Sequence, residues 1–201
     1  MSAQLAPMCF PLLDGCLSIS AACRSEPVIY LFRTFMLPMS FVLMLFWWHH
    51  RTLLNQLLPR RPVLSVLIAT SSLTGSAFLT LYVIFLGTDG NMYEFLRRLG
   101  IYVFFAGTGI AQLFTTLALR SVNRSFVIHR KSGHLTILVW RIQFLIVITM
   151  LLVGPLNLFL KATLAEPKQA ENIIEWNFGL IMFLWYALQA KYVQLTDTNC
   201  P

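Results

Sequence analysis

Five long apolar stretches constrain this chain more than any other feature. They run roughly Val28–Trp48, Val63–Leu86, Leu99–Leu119, Ile137–Leu160 and Ile173–Val193. A hydrocarbon core about 30 Å thick is crossed by a helix of about 20 apolar residues. Each stretch reaches that length, and none alternates apolar with polar residues as a half-buried strand does. In lipid the backbone must satisfy its own hydrogen bonds, so isolated spans of this kind are helices. The expected fold is all-α, a polytopic transmembrane bundle of five spans. Pro38 and Pro155 fall inside spans one and four, where a kink is expected.

Composition removes the soluble alternatives. Apolar types make up 57% of the 201 residues and charged types 11%, against about 25% charged in a soluble domain. A chain this short cannot enclose so much apolar surface within itself. Residues 1–11 show neither the basic start nor the long apolar run of a secretory signal. The expected organisation is an N-terminal segment over residues 1–27, the bundle over 28–193, and a tail over 194–201.

The net charge of +7 is explained by where the cations sit, not by nucleic acid. Arg51, Arg60 and Arg61 lie between spans one and two; Arg120, Arg124, Arg130 and Lys131 lie between spans three and four. Neither loop holds an acid. The other two loops mix signs: Arg97 and Arg98 with Asp89 and Glu94, then Lys161 and Lys168 with Glu166 and Glu171. The positive-inside rule puts the basic loops and the C-terminus in the cytoplasm. The N-terminal segment then faces the lumen or the exterior. The basic loops fix topology, with anionic lipid head groups as a second use for them.

Charges within spans are costly and usually face the bundle interior. Arg33 opens span one and Glu175 opens span five, at similar depth near the outer surface. An ion pair between them is expected, either as a packing device or as part of a polar site with Asp89, Tyr93, Arg97 and Arg98 at its rim. Arginines there suit a lipid phosphate, which guanidinium binds as a fork. Arg141 lies at the opposite end and snorkels to that surface. Glu175, Gly179, Met182, Tyr186 and Gln189 share one helical face, which is expected to look inward. Ser72, Ser76 and Thr80 form a row of small residues suited to close helix packing. Gln112 is a polar exception on span three and a candidate inter-helix hydrogen-bond donor.

Motifs for nucleophilic, phosphate-loop or zinc chemistry are not found in the sequence. All four histidines fall on the cytoplasmic side of the expected topology. The reading therefore calls for no metal and no cofactor. Cys9, Cys16 and Cys23 precede the first span, where one disulfide among them is possible; Cys200 is a candidate for lipidation.

The stretch from Cys9 to Cys23, with Asp14-Gly15 and a Ser-rich turn, is followed by Glu26-Pro27 and Tyr30-Leu31-Phe32-Arg33. It resembles the first lumenal loop of the FRAG–DRAM–Sfk family of membrane proteins. Gly75, the Asp89-Gly90 turn, the helix from Gly100 to Gln112, and Glu175-Trp176 resemble that family's middle pair and final helix. The family usually carries six spans, with a helix before the lumenal loop; this sequence either lacks that helix, which makes its N-terminus lumenal, or starts after it. A histidine that family members often have near the start of span three is replaced here by Tyr93, Arg97 and Arg98. The resemblance implies a place in endomembranes (Golgi, endoplasmic reticulum or lysosome) in a eukaryote, or the inner membrane in a bacterium. It also implies work on membrane lipids, with lipid remodelling of GPI anchors among the family's activities. The expected function is to act on or regulate membrane lipids through an outer-leaflet polar pocket built from Arg33, Glu175, Arg97, Arg98, Asp14, Asp89 and Gln112. The alternative is a non-catalytic accessory subunit of a larger membrane complex. Expected partners are membrane lipids and a membrane protein, not nucleic acid.

Overall fold

A computed structural model describes residues 9–59, 61–129, 133–164 and 167–197. Arg60, Arg130, Lys131, Glu166 and Cys200, used in the reading above, lie outside them. Two one-turn helices, α1 (Pro11–Asp14) and α2 (Ile19–Ala22), precede five long ones: α3 (Val28–Leu57), α4 (Pro62–Phe85), α5 (Asn91–His129), α6 (Gly133–Thr163) and α7 (Pro167–Asp197). All five are long and apolar enough to cross a membrane. The chain is a multi-pass membrane protein with an all-α, five-span bundle.

The helices overrun the apolar stretches that reveal them. α5 holds 39 residues, about 58 Å at 1.5 Å per residue, well beyond a hydrocarbon core. Hydropathy marks where a helix meets lipid; it does not mark where the helix stops. Pro62 and Pro167 open α4 and α7, where a missing N–H costs nothing. Pro38 and Pro155 lie within α3 and α6, and both helices remain continuous through them.

Successive helices run antiparallel, so the bundle has two ends. One carries α1, α2 and the α4–α5 and α6–α7 connections, and is the cap end below. The other carries the α3–α4 and α5–α6 connections, and is the basic end.

α4 and α5 make the closest helix pair. A Cβ on Gly100 would sit 2.8 Å from the Phe78 carbonyl oxygen, and one on Gly107 only 2.5 Å from that of Ser71. Only glycine permits this approach of two backbones. Ser72 and Ser76 are fully buried in α4 and donate to Ile68 O at 2.7 Å and Ser72 O at 2.9 Å within their own helix. Such back-bonding lets a Ser-rich helix sit in lipid with its hydroxyls satisfied.

The bundle interior is joined by aromatic and amide side chains. Trp47 of α3 stacks on Trp185 of α7 at 5.9 Å and donates to the Tyr186 hydroxyl at 3.1 Å. Thr116 of α5 accepts twice: its hydroxyl from Trp185 Nε1 at 3.0 Å, and its carbonyl from Trp140 Nε1 of α6 at 2.7 Å. Gln143 of α6 donates to Gln189 Oε1 of α7 at 2.8 Å, and Gln112 Nε2 of α5 to Met182 O at 3.3 Å. Met182 and Gln189 are buried and Gly179 and Tyr186 half-buried, so this face of α7 looks inward as its spacing predicts. Large apolar side chains along α3, Phe35, Phe41 and Trp48 among them, are exposed, as a lipid-facing surface requires.

Candidate functional site

The N-terminal segment folds back as a cap on the first turns of α7. Cys9 and Cys16 form a disulfide across Cα atoms 6.6 Å apart, which leaves Cys23 as a free thiol. Within this loop the Phe10 amide donates to Asp14 Oδ2 at 2.7 Å, and Ser18 caps α2 by accepting from the Ala21 amide at 3.1 Å. The carbonyls that one-turn helices leave over are taken by α7. Gln169 Nε2 donates to Asp14 O at 2.9 Å, Asn172 Nδ2 to Gly15 O at 2.8 Å, Trp176 Nε1 to Leu17 O at 2.8 Å, and Asn177 Nδ2 to Leu12 O at 2.9 Å. Glu175 completes the clamp by accepting from the backbone amides of Ser20 and Ile19, at the start of α2. A carboxylate there satisfies amides that have no partner inside the helix.

The expected Arg33–Glu175 ion pair is therefore corrected. No ion pair joins the two among the described residues. Arg33 instead donates through Nη2 to Ile84 O at 3.0 Å and Leu86 O at 2.8 Å. These carbonyls belong to the C-terminal end of α4, which attracts a cation because its last carbonyls are unpaired and the helix dipole ends there. Each charge of the expected pair has found backbone partners nearer at hand.

Beneath the cap, α4, α5, α6 and α7 line an open cavity of about 450 Å³. Its polar lining comes from Arg97 and Arg98 on α5, Asn157 and Lys161 on α6, Glu171 and Glu175 on α7, and Ser20 of α2. Glu94 lies beside the arginines, contacting Arg98 as a hydrogen-bonded ion pair and Arg97 at 4.0 Å. Lys161 and Glu171 pair at 3.2 Å across the α6–α7 gap. Further from the cap end on the same helices, the lining turns apolar: Ile101 and Phe105, Val153, and Phe178. Arg97 is largely enclosed, its side chain 15% exposed, while Arg98 at 66% reaches outward.

Of the residues singled out from the sequence, Arg97, Arg98 and Glu175 meet in this cavity. Arg33, Asp14, Asp89 and Gln112 do not line it. Arg33 serves α4, Asp14 the cap, and Gln112 the bundle interior, while Asp89 is exposed at the α4–α5 turn. The sequence reading reached Ser20 only through the loop that begins at Asp14, read Lys161 and Glu171 only as charges between spans four and five, and did not single out Tyr82 and Asn157. A helical signal for three of them was present: Asn157 with Lys161, and Glu171 with Glu175, are each four residues apart and so share a face.

Cys23 lies close enough to this cluster to feel it. Burial, and then the charge of Glu175, hold its thiol above the ordinary cysteine pKa. A thiol so placed is a poor nucleophile, because the thiolate is the reactive form.

No protein-family model, curated protein or solved structure matches the chain.

Proposed function

We propose that the protein binds a membrane phospholipid in this cavity, with the cap end on the exoplasmic side. The observation that carries the proposal is the gradient of polarity along one open cavity of about 450 Å³. Cations and carboxylates stand near the membrane surface, and phenylalanine and aliphatic side chains continue toward the bilayer centre. That is the order of groups along a phospholipid, and the volume is in the range of small-ligand sites, roughly 300–1,000 Å³. Arg97 and Arg98 offer the guanidinium geometry that takes a phosphate.

The reading is lipid handling, not bond making. Acyl transfer requires an activated nucleophile, and burial and the charge of Glu175 push the nearby Cys23 thiol the other way, above its ordinary pKa. The resemblance of the N-terminal loop and the last helix to the FRAG–DRAM–Sfk family extends the proposal to an endomembrane location and to a part in GPI-anchor lipid remodelling.

The test is lipid binding by the purified chain, read by native mass spectrometry, together with the GPI-lipid composition of cells that carry each variant. Replacing Arg97 and Arg98 together by Ala should weaken lipid binding at least about tenfold, a loss of about 1.4 kcal/mol. Arg33→Ala, whose partner is a helix end, should leave it unchanged. Equal binding by the double variant and the wild type would remove the proposal. Loss of the protein from cells that lack a membrane partner, with lipid binding absent, would favour the accessory-subunit reading instead.

A further inference from the structure

The charges that line the cavity are segregated. Arg97, Arg98 and Lys161 face Glu171 and Glu175, and Glu94 contacts both arginines from beside the cavity. The lining itself thus holds three cations and two carboxylates. Both arginines stand on α5, and both carboxylates of the lining stand on α7. Lys161 lies on α6 and is committed to Glu171 at 3.2 Å. Glu175 has no cationic side chain in an ion pair with it among the described residues, and its hydrogen bonds come from uncharged amides.

We infer that the cavity selects a zwitterionic glycerophospholipid, with its phosphate against Arg97 and Arg98 on α5 and its cationic nitrogen toward Glu171 and Glu175 on α7. The inference rests on the lipid-binding reading above and names the class of lipid. An anionic head group satisfies the arginines but offers nothing to Glu175, which has no cationic side chain in an ion pair with it among the described residues. A zwitterion adds no net charge, and its own dipole lies against the field between the two walls. Electrostatic complementarity of this kind acts mainly as specificity, by penalising the wrong partner.

The experiment titrates the purified full chain, in detergent, with dioleoyl phosphatidylethanolamine, phosphatidylcholine and phosphatidylglycerol, and reads bound lipid by native mass spectrometry. Both zwitterionic lipids should bind at least about tenfold more tightly than phosphatidylglycerol. Glu171→Gln together with Glu175→Gln leaves cations as the only charges of the lining, and the preference should then turn toward phosphatidylglycerol. Glu175 also holds the cap, so Glu171→Gln alone is measured beside it and should move the preference in the same direction. Phosphatidylglycerol binding as tightly as the zwitterions in the wild type would overturn the inference while leaving lipid binding intact. So would a preference unmoved by both sets of substitutions. Failure of all three lipids to bind would overturn the lipid-binding reading itself.

Discussion

Arg33 gives the sharpest test of how the ends of this bundle are held. Its Nη2 reaches Ile84 O at 3.0 Å and Leu86 O at 2.8 Å. Hydrogen bonds from a charged donor contribute about 1.5–3 kcal/mol each. Here one nitrogen serves two acceptors, one of them exposed, so the pair is placed at about 2–4 kcal/mol in all. The helix dipole adds about 0.3–1 kcal/mol. Arg33→Met keeps the length and apolar stem but loses both bonds and the charge, so a loss of about 3 kcal/mol is expected. On the scale of soluble domains of similar size, that is roughly 6–12 °C in Tm. Arg33→Lys keeps the charge and one donor direction and should lose roughly half as much. The measurement is unfolding in mixed micelles with increasing SDS, followed by tryptophan fluorescence. It is run as a double-mutant cycle with Glu175→Gln. Since the two side chains serve different helix ends, their effects should add to within about 0.5 kcal/mol. A coupling energy of about 1 kcal/mol or more between them would refute the helix-end account and restore the ion pair.

Two further predictions concern packing and chemistry. Gly107→Val should destabilise the protein by about 1–3 kcal/mol through overpacking against α4, while Gly109→Ala, whose Cβ meets nothing within 4 Å, should be neutral or stabilising by up to about 1 kcal/mol; the same SDS titration separates them, and equal losses would show that α4 and α5 do not approach as described. In a Cys200→Ser background, Cys23 should react with a membrane-impermeant maleimide only from the exoplasmic side, along a rate–pH curve displaced above that of a free thiol. Glu175→Gln removes a neighbouring negative charge, stabilises the thiolate and should shift that curve to lower pH; a wild-type curve at or below that of the free thiol would contradict the site's electrostatics.

The bundle was legible because lipid imposes a length and a composition on any helix that crosses it. Five apolar stretches therefore translate directly into α3 to α7, and the inward face of α7 follows from the spacing of Met182 and Gln189. The candidate site was half legible. Arg97, Arg98 and Glu175 stood out as charges near spans, but Lys161 and Glu171 read as loop residues because hydropathy fades before α6 ends and after α7 begins. The partners of Arg33 and Glu175 were hidden for a different reason. They are backbone carbonyls and amides, which every residue carries and no residue type advertises. The same holds for the cap: Gln169, Asn172 and Asn177 bind main-chain oxygens, so no complementary side chain in residues 9–17 reveals the contact.

The clamp between α7 and the N-terminal segment also sets an order of assembly. The segment leaves the ribosome before any of the five spans, yet the amides and indole that receive its carbonyls belong to the last of them. Until that final helix has entered the bilayer, the loop waits with its main-chain oxygens bound to water. Assembly thus ties a segment made before the first described span to the fifth. A nascent chain halted before Pro167 would lack the donors of α7 and leave residues 9–22 untethered and open to protease.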